Sequence, residues 1–236
     1  MDLGWFKKSG NTSQETVKPS FEAVWKHREE DVYPSLFGQA TSRGIFVPSI
    51  ELFTETFRQT EVDPRWLHHG VLEFEPSKRR NTWLYVTSGT SNPWEQEPED
   101  YDPDDYSGIG TELVLEVPSQ SDWAVNCLSR LLAYNILLAH GRFGEAQCLD
   151  YGARVPLGGP IDGDAASLVR FVVFSEPANF SPTFQLASGR VDFLQVVGIT
   201  ERERDLAKAE GTTALIDRLK AHTRFPLTDP SRASVA

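Results

Sequence analysis

Residues 121–140 are apolar on nearly every side of a helix. Leu128, Leu131, Leu132, Tyr134, Ile136 and Leu138 cover far more than one narrow stripe, and only Asn126, Ser129 and Arg130 interrupt strongly. Such a helix cannot leave half its girth in water, so it is expected to lie against a sheet and beneath other elements. Gly141 stands where a left-handed cap belongs. The strands to meet this helix are legible on both sides of it. Residues 68–75 and 82–87 flank the polar turn 76–80 and read as a hairpin. Residues 111–117 place Leu113, Leu115 and Val117 on one face. Residues 168–174 form another strand, and the near-continuous apolar run 191–199 predicts a central strand covered on both faces. Residues 43–48 and 148–155 are weaker strands, and 50–57 fits a strand or a helix.

Helices frame this set. Ser20 caps an expected helix over 20–31, with Phe21, Val24 and Trp25 on its apolar face and Tyr33-Pro34 as its stop. Thr200 and Glu203 form a capping-box pair that opens a helix. Gly211 interrupts it, and 213–221 forms a second helix or a kinked continuation. The expected fold class is α+β, a mixed β-sheet packed against helices in one domain over 20–222. A flexible polar tail is expected over 1–19, with Trp5 and Phe6 as residues able to dock. The Pro-, Ser- and Asp-containing tail 223–236 is expected to fray.

Charge narrows the function classes. The chain of 236 residues carries a formal charge of −11, and seven of its carboxylates fall in EQEPEDYDPDDY, residues 95–106, which has no Lys or Arg. Without those seven, 27 acidic residues face 23 basic ones, a charge of −4. Most of the excess is one local patch. It would repel a phosphate backbone, so nucleic acid is not an expected partner, and it would steer a basic protein inward. No apolar run reaches the ~18 residues of a membrane span, and MDLGWFKKSG lacks the apolar core of a signal peptide. Two cysteines, Cys127 and Cys148, make no disulfide framework. A reduced, cytoplasmic protein is the expectation, as a monomer or homodimer.

Catalytic constellations are not legible. Cys127 lies in the apolar helix and Cys148 at a strand start, and both read as buried small hydrophobes. His27, His68, His69, His140 and His222 form no spaced cluster with Cys or carboxylates. Asp100, Asp102 and Asp104 have the spacing that opens a Ca²⁺ loop. Asp105, however, stands where glycine is needed and Thr111 where the bidentate Glu belongs. The glycines of Ser107-Gly108-Ile109-Gly110 precede a strand rather than a helix, so they do not make a dinucleotide fingerprint. Glu112 reads as solvent-facing, with a buried carboxylate bonded to nearby backbone as the alternative and Arg170 as a conceivable partner. No catalytic residue, cofactor or metal is expected.

Three segments in this order resemble the suppressor-of-fused domain: WLYVTSGTS at 83–91, SGIGTELVLEV at 107–117 and VDFLQVVGITE at 191–201. Trp123 before the long helix and the Phe174-Ser175-Glu176-Pro177 step fit the same order. The resemblance implies protein binding without a shared catalytic triad or cofactor. Animal members look like two-domain clamps that hold an extended segment by strand addition, and this chain stops soon after the first domain. Stand-alone relatives of this type resemble immunity proteins that neutralise toxins. The expected function is therefore a protein-binding module of the immunity type, with a basic toxin domain as partner. The alternatives are a self-associating scaffold or an uncharacterised hydrolase. The expected contact residues are Trp94, Glu97, Glu99, Asp100, Asp102, Asp104 and Asp105.

Overall fold

A computed structural model describes residues 19–236; the expected tail, with Trp5 and Phe6, lies outside the described residues apart from Pro19. In chain order the elements are α1 (Phe21–Lys26), a π-helical turn (His27–Val32), α2 (Tyr33–Phe37), a second π turn (Leu52–Thr56) and a 3₁₀ turn (Pro64–His68). Strands β1 (Gly70–Phe74) and β2 (Trp83–Ser88) follow, then a 3₁₀ turn (Pro98–Asp100), β3 (Tyr106–Val117) and α3 (Asp122–Ala139). The chain ends with β4 (Arg154–Pro156), β5 (Val169–Ser175), β6 (Thr183–Leu186), β7 (Gly189–Thr200), α4 (Glu201–Glu210) and α5 (Thr212–His222).

The seven strands form one mixed sheet in the order β1-β2-β3-β7-β5-β4, with β6 also paired to β7. Only β3 and β7 run parallel, with Leu113 opposite Leu194. Strand alternation sorts the core into two layers. On one face, α3 packs Leu128 and Leu131 against Tyr85, Leu113, Leu115, Leu194 and Val196. On the other, Tyr33 and Phe37 of α2 cover Leu84, Val86, Val114 and Phe193. There too, α4 and α5 bring Ala207, Leu215 and Leu219 onto Val173, Val197 and Ile199. β7 is thus central and covered twice, as its apolar run predicts, and the α+β class with a mixed sheet holds.

Several local expectations are corrected. The first helix does not stop at Tyr33-Pro34. The π turn lets the Tyr33 N–H donate to the Arg28 carbonyl, and Pro34 enters the opening turn of α2, where no donor is needed. Residues 43–48 form no strand: their only backbone pairing with β1 is the isolated Phe46–Val71 bridge, beside an Arg43–Glu73 ion pair at 3.1 Å, and 50–57 takes the helical option. His68 closes a 3₁₀ turn instead of opening a strand. Residues 148–153 form no regular strand: Gly152 N donates to the Phe174 carbonyl and the Ala153 carbonyl accepts from Phe174 N, and β4 itself begins at Arg154. Gly108 and Gly110 lie within β3, where a register shift separates Tyr106 from Thr111. The segment after Phe225 does not fray. Thr228 is buried, its N–H donates to the Glu116 carbonyl at 2.8 Å, and its hydroxyl accepts from Gly198 N at 2.9 Å. The Thr200–Glu203 capping box and the break at Gly211 stand as read.

Candidate functional site

The acidic segment leaves the sheet at the end of β2 and returns at the start of β3, and a buried polar network ties both ends down. Arg28 lies one helical turn beyond Val24, on the face turned inward, and is fully buried. Its guanidinium donates to Ser88 Oγ at 3.1 Å, Ser91 Oγ at 3.0 Å, Asn92 Oδ1 at 2.6 Å and Glu29 Oε1 at 3.2 Å. Glu112 of β3 is equally buried, which corrects the solvent-facing reading. Its carboxylate accepts from Thr87 Oγ1 at 2.6 Å, Ser91 Oγ at 2.6 Å, and the N–H groups of Gly89 and Ser91 at 3.0 Å each. Burial pushes this carboxyl up. The Arg28 charge and the donations from Ser91 and Thr87 outweigh it, and the group stays below its ordinary value. Arg170 is not its partner: the cation that acts on Glu112 is Arg28.

Backbone contacts complete the anchor. Ile109 N donates to the Thr90 carbonyl at 2.7 Å, and Ser107 Oγ to the Ser91 carbonyl at 2.7 Å. Gly108 sits at φ +60°, and a Cβ there would meet the Asn92 carbonyl oxygen and come within 2.7 Å of that of Thr90. Glycine is what this close approach requires. Further along, Tyr101 is buried beside Val24, Leu186 and Val191. The Pro103 carbonyl accepts from Gln185 Nε2 at 3.0 Å, and that of Asp105 from Arg190 N at 2.7 Å.

Between these anchors the carboxylates face solvent. Glu97, Glu99, Asp100, Asp102, Asp104 and Asp105 are all exposed, so six of the seven expected contact residues share one surface. Trp94 departs from them. It is half-buried, with its ring centroid 4.4 Å from that of Phe21, and so is not an exposed anchor. It lines a cleft of about 490 Å³ with Trp66, Tyr106, Ile109, His140 and Cys148. Glu95, at its edge, pairs with Arg65 at 2.6 Å, and Arg65 also holds Asp63 at 2.7 Å.

The two histidines of this cleft are held by the backbone. His69 is buried with Nδ1 3.1 Å from the Arg65 carbonyl, and burial lowers its pKa to about 4. His140 Nδ1 lies 2.8 Å from the Ile136 carbonyl, while its Nε2 accepts from Trp66 Nε1 at 3.4 Å. Cys127 is buried as expected, and burial pushes its thiol up to about 12. Cys148 is exposed, which corrects its reading as a buried hydrophobe. No group of three or more His, Cys, Asp or Glu is placed to hold a metal among the described residues. No helix among them is long and apolar enough to cross a membrane.

Sequence reasoning missed Arg28. Its signal was the i, i+4 spacing from Val24 on a helix face otherwise read only for its apolar residues. It also missed three further buried carboxylates. Glu73 accepts from Tyr85 OH at 2.9 Å, Glu116 from Thr82 Oγ1 at 2.7 Å, and Glu203 pairs with Arg232 at 2.6 Å.

A sequence profile described as Suppressor of fused protein (SUFU) matches residues 65–233. The fold is similar to Drosophila Suppressor of Fused, with a TM-score of 0.55 at 18% identity, covering 71% of this chain and 42% of that one. This chain therefore spans less than half the length of the Drosophila protein. It is similar to a chain in the Sufu-Fu complex, with a TM-score of 0.61 at 17% identity, over 92% of this chain and 93% of that one. A SUFU homolog from Neisseria gonorrhoeae gives a TM-score of 0.53 at 17% identity, over 79% and 94%. No curated protein matches in sequence.

Proposed function

This chain belongs to the suppressor of fused family, and we propose that it is a protein-binding module whose acidic loop, residues 95–105, engages a basic partner. The partner that fits best is a toxin domain, with this chain acting as an immunity-type inhibitor by steric and electrostatic blockage. One observation carries the reading. Glu97, Asp100, Asp102, Asp104 and Asp105 are exposed, and they make no ion pair with any described residue. Their loop is nonetheless fixed at both ends by the Arg28–Glu112 network. Like charges crowded on a fixed loop repel one another, and that cost is offset when a cationic surface closes over them. The resemblance to a chain in the Sufu-Fu complex is consistent with a binding role. Single exposed ion pairs contribute only about 0–1 kcal/mol, so affinity rests on the summed field and on the association rate.

The test is charge reversal at Asp100, Asp102 and Asp104 to Lys, away from the buried network. Partner affinity is expected to fall at least ~10-fold, chiefly through kon. Unchanged affinity in a folded variant would remove the loop from the interface. A self-associating scaffold is the second reading. It is favoured by Ile45, Val47 and Ile50, which are 40%, 58% and 49% exposed beside the edge strand β1, whose outer backbone pairs, among the described residues, only at the isolated Ala40–Phe74 and Phe46–Val71 bridges. Sedimentation that yields a dimer, dispersed by Val47→Glu, would support it.

A further inference from the structure

The cleft beside the acidic loop pairs an apolar interior with a negative rim. Trp66, Trp94, Tyr106 and Ile109 line it, and its carboxylates are Asp105 and Glu95, the latter shared with Arg65. From this we infer that it is a socket for an arginine side chain of the partner, an inference that rests on the protein-binding reading above. The methylene stem would lie against the rings while the guanidinium reaches the carboxylates.

Charge supports a cation over an anion. Arg65 is the cleft's own lysine or arginine, and it is already committed to Asp63 and Glu95. Arg190, nearby, is paired with Asp192 at 3.3 Å. Arg142 adds one positive charge on the Trp66 side. Asp105 and the unpaired Glu97, Asp100, Asp102 and Asp104 outnumber it, so the field at the mouth is negative. Ring chemistry favours arginine over lysine, because a planar guanidinium stacks on aromatic faces. The chain's own arginines already do so on two rings of the cleft. Arg190 Cζ lies 4.6 Å from the Tyr106 ring centroid, and Arg142 Cζ lies 5.7 Å from that of Trp66.

The test needs no partner protein. Uniformly ¹⁵N-labelled chain is titrated with Nα-acetyl-argininamide, Nα-acetyl-lysinamide and Nα-acetyl-norleucinamide. The indole N–H resonance of Trp94, assigned with Trp94→Phe, reports occupancy. The arginine probe is expected to give a saturable shift with a Kd on the order of millimolar. It should bind more tightly than the lysine probe and far more tightly than norleucine. The double variant Glu95→Gln/Asp105→Asn, both at exposed positions, should weaken it several-fold. No saturable shift, norleucine binding as well as arginine, lysine binding as well as arginine, or a double variant that binds unchanged would each overturn the inference. Failure here leaves the loop-reversal result intact. A loop reversal that spares partner affinity would defeat the wider reading whatever the titration gives.

Discussion

Ser91 joins two buried charges that lie far apart in sequence. Its hydroxyl accepts from Arg28 and donates to Glu112, and its N–H donates to the same carboxylate. Each partner makes the burial of the other tolerable, so breaking the set should be costly. Glu112→Ala would leave Arg28 in the core with Glu29 as its remaining carboxylate and the Gly89 and Ser91 N–H groups without their acceptor. A loss of about 3–5 kcal/mol is expected in denaturant titration. A smaller cost for Arg28→Met combined with Glu112→Leu than for the two singles summed would confirm the coupling. Acid adds a second readout. His69 has a folded pKa near 4 against 6.5 for the free group, so below 6.5 the unfolded chain takes up the proton first. Its contribution is complete above about pH 6.5 and is lost as pH falls toward 4, up to about 3 kcal/mol. Glu112 and Glu203 have lowered folded values. Their contribution is present above the ordinary carboxylate value and is lost at lower pH, as pH falls through the folded values. Stability against pH should therefore decline in two stages, and His69→Asn should flatten the first while leaving the second.

Among the elements, those with a strong period were legible. α3 follows from its apolar girth, β7 from its unbroken apolar run, and α4 from its capping box. Elements held by long-range polar contacts were not. Nothing local in Pro226–Ala236 announces that Arg232 will clasp Glu203 with both terminal guanidinium nitrogens at 2.6 Å, or that Val235 N will donate to the same carboxylate at 2.9 Å. Composition read the segment as a loose end because much of its hold is ionic and backbone-borne, with only Leu227 and Val235 adding apolar contact to the core. Arg232→Met should cost about 3 kcal/mol, since it leaves Glu203 buried without its cation. The same variant should raise amide exchange across 227–236, which a merely exposed tail would not. Proline misled at the first helix for a related reason. A π turn, invisible to a 3.6-residue pattern, absorbs the missing donor. Gly108→Ala tests the other anchor. The added methyl meets the Asn92 and Thr90 carbonyls at a positive φ, so the loop ends should exchange faster and stability should fall by about 1–3 kcal/mol.

For the whole molecule, composition alone located the acidic loop, because seven carboxylates without a basic residue stand out in any window. What composition could not give was their presentation. The residues that fix the loop, Arg28 and Glu112, lie 84 positions apart and meet only when the first helix packs onto the end of β2. Trp94 fell among the expected contacts for its neighbours' charge, and the fold turns it inward to the wall of a cleft. On the reading proposed above, this anchored acidic patch is where a partner sits. The most direct measurement compares the native chain with its Asp100→Lys/Asp102→Lys/Asp104→Lys variant in parallel capture from native lysate at low and high salt, after matching their denaturation midpoints. The native chain is expected to retain a stoichiometric basic protein at low salt and release it at high salt, and the variant to recover none. Equal recovery of the same protein on both chains, or recovery indifferent to salt, would contradict it.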